Sequence, residues 1–123
     1  MTKVLYVEDN DDNVYMLKMR LELLGDFEVL TAEDGQRGCE MAATERPDII
    51  LMDLQMPVMG GYEATAEIRR IGAGQRRVPI VALTANAMSE TQEECLQAGM
   101  DGYVTKPINR AELMKTIEGL TRL

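Results

Sequence analysis

The chain contains no histidine. Ser-His-Asp and Cys-His catalysis are therefore excluded from its own residues. Cysteine is scarce: Cys39 and Cys95 stand alone, without metal-ligand spacing and within helical patterns. Buried, reduced thiols are expected there, not a bridge or a nucleophile. No apolar run approaches the length of a membrane span, so no membrane partner is expected. The first strand signal begins at Lys3, which leaves no room for a signal peptide, and a cytoplasmic protein is expected. Positive charge is short as well, with 13 Lys and Arg against 21 Asp and Glu, a net of −8. That argues against nucleic acid as a direct partner, because such binding is dominated by cationic contacts to phosphate. The only basic cluster is Arg69, Arg70, Arg76 and Arg77, at the end of a helical pattern and in the loop after it. A solvated face is the expectation there. Linkers, internal repeats and low-complexity stretches are missing too. The 123 residues read as one domain over 1–123, with no output domain attached.

What is present is an ordinary globular composition, 46% hydrophobic and 28% charged, in a chain long enough for a real core. Strand and helix signals alternate throughout, which implies βαβ units and a parallel sheet. Strands are predicted near 3–7, 27–32, 48–53, 78–84 and 102–105, and helices near 11–24, 35–45, 61–72, 89–98 and 110–121. The first, third and fourth strands are near-continuous apolar runs, as expected for strands covered on both faces. Ser89 with Gln92, and Asn109 with Glu112, have the spacing of capping boxes. Gly25 and Gly99 sit where the first and fourth helices should stop. Leu113, Ile117 and Leu120 give the last helix an apolar stripe.

Four of the strands end in polar residues: Glu8-Asp9, Asp53, Thr84 and Lys106-Pro107. Ligands of open parallel sheets bind outside the carboxyl ends of the strands. The pattern thus gathers three carboxylates, a hydroxyl and an ammonium in one pocket. Carboxylates alone would repel each other by about 4 kcal/mol per pair at 4 Å and an effective dielectric of 20. A hard divalent cation removes that repulsion, and Mg²⁺ is typically held by a few carboxylates together with phosphate oxygens. The constellation implies a Mg²⁺-dependent phosphoryl acceptor, with formal charges that cancel once the cation is counted. Taken alone, Glu8-Asp9 also reads as an acidic pair at a helix N-terminus, and Lys106 as a surface lysine.

The stretches Val4-Leu5-Tyr6-Val7-Glu8-Asp9-Asn10, Pro47 to Pro57, Ala82-Leu83-Thr84-Ala85 and Gly102-Tyr103-Val104-Thr105-Lys106-Pro107 resemble a response-regulator receiver domain of the single-domain type. The resemblance runs in order along essentially the whole chain. It implies an α/β fold: a doubly wound, flavodoxin-like five-stranded parallel sheet of order 2-1-3-4-5, with helices on both faces. It implies Asp53 as phosphoacceptor, Asp9 as a direct Mg²⁺ ligand, Glu8 as a ligand through a water and the Gln55 backbone carbonyl as the last protein ligand. Lys106 is then the cation for a phosphoryl oxygen, aimed by a cis bond to Pro107. Thr84 is the hydroxyl that follows the phosphoryl group, and Tyr103 the aromatic that reports it, or a static half-buried strand tyrosine. The implied partners are a sensor histidine kinase or a histidine phosphotransfer protein, and a downstream protein target. The chain is then a signalling phosphoacceptor and not an enzyme. Gln55 and Asn86 take the two variable positions beside the path of attacking water. Gly60-Gly61 stand where the family has an acidic or amide residue before glycine. Glycine tolerates positive φ, which keeps the turn and loosens the loop.

Other readings share parts of the pattern. A haloacid-dehalogenase-type phosphatase also uses a strand-end aspartate with Mg²⁺, but needs a second aspartate where Gln55 stands. A flavodoxin-like carrier needs a phosphate loop where this chain has Asp9-Asn10-Asp11-Asp12. An inert receiver-like adaptor would not need all of Glu8, Asp9, Asp53, Thr84 and Lys106. The first helix carries a further signal. Val14, Leu17, Leu21 and Leu24 form a face for the sheet, while Tyr15, Met16, Met19 and Leu23 form a second apolar group. That group is expected either to pack on the fifth helix or to dock a partner through Tyr15, Met16 and Met19. The partner would be a kinase helical bundle or a second copy in a homodimer.

Overall fold

The computed structural model describes residues 2–54, 59–72, 77–85, 89–106 and 108–121. Ten elements alternate: β1 (Thr2–Val7), α1 (Asp11–Leu23), β2 (Phe27–Ala32), α2 (Gly35–Glu45), β3 (Ile49–Asp53), α3 (Gly61–Ile71), β4 (Ile80–Thr84), α4 (Ser89–Ala98), β5 (Gly102–Thr105) and α5 (Arg110–Thr121). All pairings are parallel, in the order β2-β1-β3-β4-β5. The predicted elements stand, with ends within two residues of those expected: β1 begins one residue earlier, and α1, β3, α3 and β4 are trimmed by one or two. Asp48 lies just outside β3, where its carboxylate accepts the Lys3 amide at 2.8 Å. Val78 and Pro79 precede β4, and the Pro79 carbonyl still accepts from Ile50 N at 2.9 Å.

Burial explains the layering. Every residue of β3 and β4 is buried, as expected of strands covered on both faces. Alternation along β1 sends Val4 and Tyr6 into one core with Leu17 and Leu21 of α1 and Leu113 and Ile117 of α5. It sends Leu5 and Val7 into the other, with Cys39 of α2, Ala64 and Ile68 of α3, and Cys95 of α4. Two helices thus cover one face of the sheet and three the other.

Local chemistry sets the helix ends. Asn10 caps α1 by accepting from Asn13 N at 3.0 Å, Asp34 caps α2 through Arg37 N at 2.8 Å, and Asn109 caps α5 through Glu112 N at 3.1 Å. Gly25 (φ 84°) and Gly99 (φ 99°) terminate α1 and α4 in the left-handed conformation, as anticipated. The side chain of Ser89 lies outside the described residues.

Three expectations need correction. Leu24 is not on the sheet face of α1; it follows the last helical residue and stays exposed. The basic cluster is not simply solvated. Arg69 is largely buried and donates to the carbonyls of Gly99 (2.9 Å) and Val78 (2.6 Å) and to Asp101 (2.7 Å). Arg77 reaches the same Asp101 at 3.0 Å, whereas Arg70 is exposed and pairs with Glu67. Arg76 lies outside the described residues. Lastly, Gly60 needs no positive φ, since it caps α3 at φ −72°. The demanding position is Gly61, where a Cβ would stand 2.6 Å from the Asp53 carbonyl oxygen and 2.9 Å from Leu54 Cα.

Both cysteines are buried and free, and burial pushes their thiols above the ordinary range. Among the described residues no helix is long and apolar enough to cross a membrane.

Candidate functional site

The order of the sheet reverses at β1, which has β2 on one side and β3 on the other. At such a switch point the loops leaving neighbouring strands diverge and open a crevice at the carboxyl ends. Glu8 and Asp9 leave β1 there, and Asp53 ends β3. Ligand oxygens of these three carboxylates all lie within 4.8 Å of one another. Glu8 and Asp53 are buried, and Asp9 is exposed.

From the far side of the crevice, Lys106 follows β5. Its ammonium stands 3.3 Å from Glu8 Oε1 and 3.4 Å from Asp53 Oδ1. Its backbone is fixed as well, with the Lys106 amide donating to the Thr84 carbonyl at 2.7 Å. That bond extends the β4–β5 ladder, in which Thr84 lies opposite Thr105. Thr84 itself is buried at the end of β4, and Tyr103 is half-buried against the core on the α2–α4 side. Glu8, Asp9, Asp53, Thr84 and Lys106, expected together from the sequence, all belong to this one edge. The Gln55 carbonyl, Asn86 and Pro107 lie outside the described residues.

Among the described residues, these three carboxylates and one ammonium sum to a formal charge of −2. A hard divalent cation with oxygen preference suits that set, and soft or imidazole-seeking metals do not. The donor set fits Mg²⁺.

Glu8 is held more tightly than the sequence suggested. Its Oε1 accepts from Tyr6 OH at 3.0 Å and from Asn13 Nδ2 at 3.5 Å, besides Lys106. Its Oε2 accepts from the amides of Asp9 at 3.1 Å and Asn10 at 3.4 Å. Burial, then the neighbouring Glu8 charge, pushes the Tyr6 phenol far above its ordinary value, so the hydroxyl stays a donor. Tyr6 and Asn13 are functional candidates that motif reading missed. For Tyr6 a signal existed, since position 6 shares the strand face of position 8. For Asn13 none did.

On the first helix, Leu17 and Leu21 are buried and Val14 packs beside them. Tyr15, Met16, Met19 and Leu23 remain 65%, 48%, 42% and 79% exposed, so packing against α5 does not cover them. Met16 nevertheless borders a 270 Å³ hollow that is also lined by Tyr6, Asn13 and Lys106.

The comparisons with known proteins agree with this geometry. The chain matches the response regulator receiver domain family over residues 4–118 and belongs to it. It is 42% identical over 117 residues to the sensor protein GacS of Pseudomonas syringae, covering 94% of this chain and 13% of that protein. It is 41% identical over 121 residues to a hybrid signal transduction histidine kinase of Dictyostelium discoideum, covering 94% of this chain and 7% of that one. The chain thus spans a small fraction of the curated relatives it matches. Among solved structures, it is 44% identical to the receiver domain of the sensor histidine kinase PA1611 of Pseudomonas aeruginosa (TM-score 0.87; 98% and 97% of the two chains). That structure has a magnesium ion coordinated in its active-site cleft. A complex of the Saccharomyces cerevisiae phosphotransfer protein Ypd1 with the Ssk1 receiver domain is similar at 32% identity (TM-score 0.91; 98% and 88%). The chain is a receiver domain of two-component and phosphorelay signalling, with the flavodoxin-like fold of that family.

Proposed function

We propose that Asp53 is the residue that takes the phosphoryl group, and that it does so with Mg²⁺ held between Glu8, Asp9 and Asp53. The observation that carries this reading is the juxtaposition of a buried strand-end carboxylate with a lysine ammonium at 3.4 Å and two further carboxylates. An oxygen of Asp53 attacks the phosphorus of a phosphohistidine on another protein. The P–N bond breaks, a P–O bond forms, and the departing imidazole keeps the electron pair and takes up a proton. Asp9 and Asp53 would hold the ion directly, and Glu8 through a water, with the Gln55 carbonyl as the remaining protein ligand. The bound ion would supply positive charge to the phosphoryl oxygens. Lys106, already aimed at Asp53, turns its ammonium to a phosphoryl oxygen as the new charge arrives. The Thr84 hydroxyl follows the same charge, and the space it leaves draws Tyr103 inward, which changes the surface for a downstream target. On this reading the domain assists only its own phosphorylation and dephosphorylation, in the cytoplasm. Incubation with acetyl phosphate and Mg²⁺ should raise the intact mass by one phosphoryl group. EDTA, or Asp9→Ala, should prevent it.

We further propose that the donor is a histidine phosphotransfer protein that docks on the exposed face of α1. Met16 and Lys106 border one hollow, so a helical partner seated on Tyr15, Met16 and Met19 lies beside the acceptor. Methionine suits such a surface because it repacks readily. The similar Ssk1 receiver domain was crystallised with such a protein. The double substitution Tyr15→Ser with Met19→Gln should slow transfer from the donor while leaving acetyl phosphate labelling intact. Unchanged transfer would make the face idle surface, and dissociation of a dimer would make it a contact between copies.

A further inference from the structure

We infer that Tyr6 is a positioning residue for the acidic site, fixing Glu8 so that Lys106 stays shared between Glu8 and Asp53. The inference rests on the reading of Glu8 as part of a Mg²⁺ site.

Tyr6 is 1% exposed, in a core of Val, Leu and Ile side chains. A hydroxyl there costs free energy unless it is hydrogen-bonded, and its bond runs along the strand to Glu8 Oε1 at 3.0 Å. Positions 6 and 8 point to the same face of the sheet, and a phenol ring is long enough to reach from one to the other. The remaining donors to Glu8 are less constrained. Asn13 is exposed on the first turn of α1. Lys106 ends a flexible stem and is shared with Asp53. The amides of Asp9 and Asn10 belong to the loop that must accommodate the ion. Among the described side-chain donors, the phenol ring alone is locked by core packing.

A carboxylate offers roughly four lone-pair directions, and Glu8 has five donors around it among the described residues. Glu8 is therefore held as a fixed negative point. One consequence is that it cannot swing freely into the metal's inner coordination sphere, which suits contact through a water. The other is that Lys106 is anchored on one side and reaches Asp53 with the other. Without the phenol hydroxyl, Oε1 is left, among the described residues, with exposed Asn13 at 3.5 Å and the shared Lys106, so that end of the carboxylate shifts and the two carboxylates and the ammonium lose their mutual alignment.

Tyr6→Phe keeps the ring and removes only the oxygen. Calorimetric Mg²⁺ titration should show a dissociation constant about three- to tenfold weaker, at or below the low end for loss of a partner behind a metal ligand. Because Tyr6 acts through Glu8, adding Tyr6→Phe to Glu8→Gln should weaken binding by less than about twofold further. Equal affinity in Tyr6→Phe and wild type would overturn the inference, and so would an undiminished loss in the Glu8→Gln background. Wild-type protein that binds no Mg²⁺ would instead overturn the reading of the site, and the inference with it. Should Tyr6→Phe fail to fold, the wild-type protein decides. The ¹³Cζ resonance of Tyr6 should move over the same Mg²⁺ range as the Asp53 amide, and a stationary resonance would overturn the inference.

Discussion

The ammonium of Lys106 lies 3.4 Å from Asp53 Oδ1, joining the end of β5 to the end of β3 across the crevice. The same ammonium holds Glu8 at 3.3 Å, so one partly exposed cation serves two buried carboxylates. Losing one partner of a buried pair costs about 3–5 kcal/mol, because a charge is left without compensation. With 27% of the lysine side chain exposed, solvent screening lowers the expected loss for Lys106→Met to about 1–2 kcal/mol. Urea unfolding in EDTA measures it. Added Mg²⁺ should recover most of the loss and should bind more tightly to the variant, which carries one more net negative charge. An equal Mg²⁺ stabilisation of both proteins would separate Lys106 from the acidic site.

A second prediction concerns the start of α3. The Gly61 backbone lies against the Asp53 carbonyl with no room for a Cβ. Gly61→Ala must therefore push α3 away from β3, at a cost of about 1–3 kcal/mol. Gly60 has open space by comparison, its nearest contact being the Leu54 carbonyl oxygen at 3.8 Å, and its backbone is extended. Gly60→Asn should add a side-chain helix cap and leave stability unchanged or higher by a few tenths of a kcal/mol. Paired urea melts test the contrast, and equal losses at both positions would refute it.

These two glycines mark how far the sequence could be read. The paired Gly60-Gly61 was visible as a departure from the receiver pattern, but which of the two is required depends on where the Asp53 carbonyl lies. The buried runs Ile49–Met52 and Ile80–Leu83 were legible because strands covered on both faces need unbroken apolar sequence. The polar residues ending those strands were legible because a wound sheet collects strand ends on one edge. Arg69 is not legible for the opposite reason. Its partners at Gly99 and Asp101 are 30 and 32 residues away, so nothing local distinguishes it from exposed Arg70. Asn13 reaches Glu8 only because of the path of the turn between β1 and α1. The exposure of Tyr15 and Met19 was half legible: the second apolar face could be counted, but whether α5 covers it is a matter of helix placement.

The proposed switch is tested at Thr84. Phosphorylation adds about one to two units of negative charge, judged from phosphate esters, and Thr84 lies buried at the end of β4, which pairs with the strand carrying Tyr103. Thr84→Ala should still take up a phosphoryl group, yet the amide shifts around Tyr103 on adding beryllofluoride should shrink severalfold. Equal shifts in variant and wild type would remove Thr84 from the relay.

The most direct test of the central claim is to find where the phosphoryl group sits. An acyl phosphate is reduced by borohydride, which releases phosphate and turns the aspartate carboxyl carbon into an alcohol, leaving homoserine. After acetyl phosphate and Mg²⁺, borohydride and peptide mapping by mass spectrometry should find homoserine at position 53 in the wild type and none in Asp53→Asn. Homoserine at Asp9 or Asp48, or its persistence elsewhere in Asp53→Asn, would contradict the assignment of Asp53 as the acceptor.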